Sequence, residues 1–402
     1  MNGFQLSGEL LLLREQIRRV VQEEIVPLEL TLDPDAPDIP REDWLRISQK
    51  TRAAGLWYLG LPEKYGGGGL DTFSMCVLWE EMVQHRMGLY NPGCGVFGRT
   101  IAPSIWAGTE AQIQKYAVPA IENGWYTFYA ITEASGGSDP AGAMRTRAVR
   151  KGDRYILNGS KLFISHANWS EWGVAFAVTD PDKGRKGISC FIIEKEQPGF
   201  TCKPFRVIRD SSPPNEIVFE DCEVPVDQRI GEEGQGLELA FDLLTRQRFP
   251  YSAANYGVAQ AAHRMTLAYA NERQTFGSYL ADKQAIQWML ADSEMDIRAA
   301  RWLTWEGAWK ADRGEDARVE ASIAKLFSSE ALGRVIDRCV QIHGGYGVTK
   351  EFPFERWYRE ARIRRIGEGP SEVHRMVISR DLLREGRRKR MEGRGDSPAD
   401  PR

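Results

Sequence analysis

The chain has 402 residues, 42% hydrophobic and 27% charged, the balance of a globular protein with room for a large core or for two to three domains. Its net charge of −3 sets up no global field that would draw it to nucleic acid. Six scattered cysteines with no CxxC pair, and five histidines with no metal-ligand spacing, argue against a disulfide framework and a metal site. They fit reduced thiols in a cytoplasmic protein.

Residues 4–123 read as helices. The four leucines from Leu10 to Leu13 are followed by Arg14, Glu15, Arg18 and Arg19, so they form one stripe of an amphipathic helix and not a leader or membrane span. Loops are expected at 33–40, rich in Pro and Asp, and at 65–71, with four consecutive glycines. Between them Trp44, Ile47, Ala54 and Leu56 share one helical face. The pattern then changes to an antiparallel β segment over 125–229. Its strands are expected at 126–132, 145–149, 155–157, 172–178, 188–193, 200–205 and 216–219, with a hairpin turn at Lys151-Gly152-Asp153.

Helical periodicity returns at 237–246, 253–273, 283–313 and 319–342, runs that suit a bundle. Helices, then strands, then helices predict an α+β, mainly α, fold of segregated domains. The expected boundaries are 1–124 (helical), 125–232 (β) and 233–386 (helical bundle), with 387–402 as a disordered tail. From Arg384 onward seven Lys or Arg face four Asp or Glu, the composition of a solvated terminus.

No GxGxxG follows a strand and no GxxxxGK[ST] occurs. Four other segments carry the candidate chemistry. Thr132-Glu133-Ala134-Ser135-Gly136-Gly137-Ser138-Asp139 follows a strand, and its small residues let a flat or anionic ligand approach the backbone, although a plain polar connection looks the same. Arg273-Gln274-Thr275-Phe276-Gly277 and Gln341-Ile342-His343-Gly344-Gly345-Tyr346-Gly347 each end a helix, as a phosphate contact or as a simple stop. Gly367-Glu368-Gly369-Pro370-Ser371 precedes the last helix, with Pro370 suited to the first helical position. There the carboxylate either complements the helix dipole or is a base held out on a tight turn.

In order and spacing these segments resemble the acyl-CoA dehydrogenase family over roughly residues 5–385: TExxxGSD at 132–139, RxTFG at 273–277, QxxGGxG at 341–347 and EGPSE at 368–372. The resemblance implies a helical domain, a middle β-barrel-like domain and a C-terminal four-helix bundle. It also implies a homodimer or homotetramer with FAD near a subunit interface. Tyr129, Ile131, Thr132, Gly137 and Ser138 then belong to the strand and loop facing the flavin. Phe163 and Ser165 belong to a second flavin segment, Phe163 standing where Trp is common. Arg273, Thr275 and Phe276, and Gln341, Ile342, Gly344 and Gly345, match segments that reach the neighbouring subunit's cofactor, and Gln284 beside Lys283 stands at another contact position. Pro370 and Glu372 match the cofactor-contacting start of the last helix, where Pro370 replaces a frequent Thr and removes a hydroxyl. For the substrate the resemblance points to Ser138, Thr245, Arg248 and Gly369, with Thr245 in place of a frequent Asp.

The family places its catalytic base at one of two positions, held here by Glu368 and Gln247. Glutamine cannot accept the proton, so the resemblance implies Glu368. The implied reaction is α,β-dehydrogenation of an acyl-CoA thioester to the trans-2-enoyl-CoA, with the α-proton going to Glu368 and a hydride to flavin N5. Electrons then pass to electron-transferring flavoprotein. A dry pocket would make the carboxylate a stronger base, and hydrogen bonds to the thioester oxygen would stabilise the developing charge. The alternatives are an acyl-CoA oxidase or other divergent flavoenzyme on the same fold, and a non-catalytic flavoprotein. Glu368 and the retained glycine turns weigh against the last.

Overall fold

The structure, a computed structural model, describes residues 5–209 and 212–392. Numbering only the longer helices, the chain opens with α1 (Gly8–Val20), α2 (Arg41–Ala53) and α3 (Thr72–Met82). Ser7 starts α1 by accepting from Leu10 N at 3.2 Å, and Asp71 starts α3 by accepting from Ser74 N at 2.7 Å. A second carboxylate reaches α3 from far along the chain: Asp312 accepts from Thr72 N at 3.0 Å and Phe73 N at 2.7 Å. It satisfies two orphan amides and opposes the helix dipole, and it ties the first helices to the last.

Eight strands follow: β1 (Tyr126–Ala130), β2 (Arg147–Lys151), β3 (Arg154–Ser165), β4 (Ser170–Val178), β5 (Ile188–Glu194), β6 (Phe200–Pro204), β7 (Pro214–Pro225) and β8 (Arg229–Ile230). They pair in the order β6-β7-β3-β2-β4-β5-β8, with β1 joined to β4. The expected hairpin forms, Lys151 pairing with Arg154 around Gly152 at φ 64°. Most pairs are antiparallel, but β1 and β2 run parallel to β4, so the sheet is mixed. The whole β2–β3 hairpin lies between β1 and β4, a connection long enough for a parallel return. On β4, Trp172, Val174 and Phe176 pack toward Ile105, Tyr116 and Ile121, while Ala175 and Ala177 pack with Tyr155, Phe191 and Phe219 on the other face. Burial on both faces is why this stretch reads as an almost unbroken apolar run.

The remaining long helices are α4 (Gly236–Glu272), α5 (Gln284–Asp312), α6 (Arg318–His343), α7 (Phe354–Arg364) and α8 (Ser371–Glu392). The sequence suggests two helices at 237–246 and 253–273, but α4 runs through Pro250 as one. Proline removes one backbone donor; the buried Phe249, Ala253, Ala254 and Tyr256 on either side hold the helix together regardless. Residues 387–392, expected in the disordered tail, are also helical. Arg384 with Asp381 at 3.3 Å and Lys389 with Glu385 at 2.6 Å brace that last stretch along its own face. Residues 393–402 lie outside the described residues. One core joins both helical parts, with Ile17, Leu78, Tyr256, Ile297, Val335 and Trp357 among its members. Among the described residues no helix is long and apolar enough to cross a membrane.

Gly173 lets β1 and β4 pack closely: a Cβ there would stand 2.3 Å from the Phe128 ring. Gly173→Ala should therefore destabilise the protein by about 1–3 kcal/mol through overpacking, read as a lower calorimetric melting midpoint. An unchanged midpoint would mean the ring moves aside freely.

Candidate active site

Between α7 and α8 the chain makes a tight turn. Gly367 N donates to Ile363 O at 3.0 Å and Ser371 N to Arg365 O at 3.0 Å. Glu368 and Gly369 both sit in the left-handed region, at φ 58° and 91°. Glycine adopts it freely, whereas for glutamate it costs about 1–2 kcal/mol, a strain that persists only where surroundings impose it. Two buried side chains impose it here. Lys325 on α6 donates Nζ to Gly369 O at 2.5 Å, and His374 on α8 places Nε2 3.1 Å from Glu368 O. A carbonyl only accepts, so the His374 proton resides on Nε2. Burial pushes His374 down to about 4, with Arg248 and Lys325 adding repulsion, so the ring is neutral. A Cβ at residue 369 would lie 2.9 Å from His374 Nε2, which makes glycine a requirement of this turn. The sequence suggests Pro370 as the first helical residue; α8 starts at Ser371, and the Pro370 carbonyl accepts from Val373 N and His374 N.

The Glu368 charge reaches Lys325, Arg248 and Tyr129, which brings α6, α4 and β1 around one carboxylate. Burial pushes Lys325 down to about 7 against the pull of Glu368, and lowers Arg248 in the same way. Arg248 Nε is buried without a partner. Lys325 and His374 are absent from the sequence-derived site; a lone Lys inside an apolar helical run was the only available signal for Lys325. The sequence also suggests a dry pocket for the base, yet in the single chain Glu368 is exposed. The turn lifts it beyond the end of α7, with buried neighbours on one side only. Thr245, expected at the substrate, donates its hydroxyl to Phe241 O at 2.9 Å inside its own helix, and that proton is committed there.

A second group gathers where β1 meets β3. Thr132 O accepts from Leu162 N at 2.9 Å, which sets Tyr129, Ile131 and Thr132 beside Phe163 and Ser165. The loop holding Gly137 and Ser138 is fastened by Glu133, which accepts from Lys161 Nζ at 2.8 Å, Thr146 Oγ1 at 2.6 Å and Arg145 N at 2.6 Å. Lys161 is fully buried and pushed down to about 8 by that burial. Gly137 and Ser138 are exposed, and Phe163 is 57% exposed at φ 63°, its ring edge-on to Phe205. Ser165 Oγ accepts from Arg209 Nη2 at 2.8 Å.

A third group lines a pocket of about 420 Å³: Arg273, Thr275, Ile342, Gly344 and Gly345, with Tyr269 and Thr349. Gly344 is left-handed at φ 59° and meets nothing where a Cβ would stand. Phe276 is wholly exposed, and Gln284 and Gln341 are exposed outside the pocket lining. Glu372 is exposed on the first turn of α8. Arg273 follows the end of α4 and Arg248 lies within it, about 38 Å apart at 1.5 Å per residue. The third group is thus remote from the Glu368 of its own chain. Elsewhere Glu29, His85 and Cys94 lie buried together, but Glu29 already accepts from His85 Nδ1, Arg86 N and Met87 N, so its oxygens are occupied.

Three family models cover most of the chain: "Acyl-CoA dehydrogenase, N-terminal domain" over residues 7–124, the middle domain over 129–222 and the C-terminal domain over 234–383. The chain belongs to the acyl-CoA dehydrogenase family. It is 37% identical over 392 residues to a short-chain-specific acyl-CoA dehydrogenase of Clostridium acetobutylicum, covering 95% of this chain and all of that one. Butyryl-CoA dehydrogenase from Megasphaera elsdenii shares its fold at TM-score 0.85 and 33% identity, over 95% of this chain and 100% of the other. A structure described as electron transferring flavoprotein of Acidaminococcus fermentans matches at TM-score 0.86 and 36% identity, with the same coverage. As a member of this family the protein is an oxidoreductase of acyl-CoA metabolism with FAD as cofactor.

Lys325 gives the turn a pH signature. Above about pH 7 the folded protein has lost the Lys325 proton, while the unfolded chain keeps it up to about 10.5. The unfolded state binds more protons in that window, so unfolding free energy should rise from pH 7 to 10 by more than in Lys325→Met. Parallel slopes in denaturant titrations of the two proteins would refute this.

Proposed function

We propose that the protein removes hydrogen from Cα and Cβ of an acyl-CoA thioester, giving the trans-2-enoyl-CoA, with Glu368 as the base. The observation that carries this reading is the strained, doubly anchored turn that holds a carboxylate out beside Arg248 and β1. When bound, FAD supplies the acceptor for the β-hydrogen and its electron pair. The residues present suit that cofactor. Thr132, Ser138, Phe163 and Ser165 offer hydroxyls and an exposed ring where β1 meets β3, and Arg273 with the open Gly344–Gly345 backbone suits a diphosphate.

Glu368 takes the α-proton onto its carboxylate. As that proton leaves, negative charge grows on the thioester oxygen and needs a donor. The Glu368 backbone N–H donates to no group among the described residues, so it is available for this purpose. One such donor contributes roughly 3–4 kcal/mol in comparable oxyanion sites. Arg248 on α4 sets a positive charge near the Glu368 carboxylate. Lys325 and His374 act as positioning residues, fixing the two carbonyls of the turn.

The 38 Å separation along α4 favours a homodimer or homotetramer in which Arg273, Thr275, Gly344 and Gly345 serve the cofactor of a second copy. Exposed Phe276, Trp288, Met295 and Tyr346 support a buried contact on that side. Electron-transferring flavoprotein is the partner we assign for reoxidation, in keeping with the matched structure of that description. Six unpaired thiols are in keeping with a cytoplasmic location.

Glu368→Gln should retain FAD while anaerobic flavin reduction by acyl-CoA slows by about 10²–10⁴-fold. Near-normal bleaching in that variant would remove Glu368 from its role. Arg273→Ala should weaken FAD retention by about 10–100-fold on dialysis, the contribution of a charge-assisted bond; unchanged retention would leave the pocket without a cofactor role. Rapid aerobic peroxide formation in the absence of electron-transferring flavoprotein would favour the oxidase alternative.

A further inference from the structure

Arg364 ends α7 four residues before Glu368 and is only 2% exposed. Its Nη2 donates to Leu89 O at 2.6 Å, its Nε has no partner, and it forms no ion pair with a carboxylate of the described residues. The adjacent acid on the same helix, Glu360, is paired with Arg356 at 3.2 Å. The guanidinium lies instead against two phenol rings, 3.7 Å from the Tyr251 centroid and 4.8 Å from that of Tyr90. The Tyr90 hydroxyl is itself buried without a partner, and a second cation, Arg209, covers the same ring at 4.1 Å.

This cluster adjoins the proposed base. Tyr251 Oη comes 3.4 Å from where a Gly367 Cβ would stand, and the charges of Arg364, Arg248 and Glu368 all act on Lys325. Two guanidiniums, Arg364 and Arg248, thus share the neighbourhood of Lys325 with the exposed Glu368, and the other acid there, Glu330, is already paired with Arg375. A purely apolar acyl chain gives no reason for such an excess, because an uncompensated buried charge is costly and its removal would stabilise the fold. An anion arriving with the substrate offsets it.

We propose that Arg364, with the Tyr90 hydroxyl, binds a carboxylate at the far end of the acyl chain, so that the preferred substrate is a short dicarboxylic acid joined to CoA through one carboxyl. This rests on the reading of Glu368 as the base, since that residue sets which end of the chain faces Arg364. Arg364 and Glu368 are four residues apart across the tight turn, which suits a chain of few carbons.

The test is made on the FAD-loaded Glu368→Gln protein, where binding is measured without turnover. Dissociation constants for the five- and six-carbon straight-chain acyl-CoAs and for their ω-carboxy counterparts are obtained by calorimetry. The ω-carboxy thioesters should bind at least about tenfold more tightly, as a charge-assisted hydrogen bond provides. Adding Arg364→Gln should bring each pair to within about twofold, and Tyr90→Phe should remove part of the difference. Equal or weaker binding of the ω-carboxy ligands overturns the proposal, and so does an unchanged ratio in a folded Arg364→Gln protein. Should that variant fail to fold, the parent ratio and Tyr90→Phe decide. Failure of the base assignment shows separately, as persistent flavin bleaching in Glu368→Gln.

Discussion

The hydrogen bond from Lys325 Nζ to Gly369 O governs how the proposed base is presented. A primary amine is a poor group to bury, and burial drives this one down to about 7. What it gains is a carbonyl acceptor at short range and the nearby Glu368 charge. What it imposes is a backbone shape that glutamate avoids when free. With His374 on the other carbonyl, the turn has two independent supports from two helices. A carboxylate held this way cannot swing with the loop, and positioning of that kind is the main means by which a fold contributes to proton abstraction.

Similar logic recurs where β1 meets β3. The buried Glu133–Lys161 pair does not face outward; it fastens the backbone on which Thr132, Gly137 and Ser138 are displayed. In both places a charged pair or near-pair inside the protein fixes main chain, and the groups left facing outward are small, polar or aromatic. The chemistry therefore rides on backbone whose geometry is set from behind by ionic contacts.

Much of this architecture was legible in the chain itself. Period-two stretches gave most strands near their observed positions, and the hairpin at Gly152 was readable because only a few residues suit its turn. The two parallel pairings were hidden, since pairing direction depends on which distant strands meet. Pro250 misled for a definite reason: local propensity counts the missing donor, whereas packing on both sides of α4 is non-local. The helical stretch at 387–392 escaped because composition registers its basic charge but not the i, i+4 partners that organise it. Among candidate site residues, the glycine-flanked carboxylate was visible as a motif. Lys325, His374 and Arg364 were not, because each looks like an ordinary member of a helix until the fold brings it to the turn.

Helix α4 carries a consequence beyond its own length. It holds Arg248 beside the turn near one end and delivers Arg273 to a pocket past the other. If each end serves the cofactor of a different copy, the distance between two reaction centres is fixed by a single rod of hydrogen-bonded backbone. Any strain introduced midway, at the proline for instance, would be felt at both centres together.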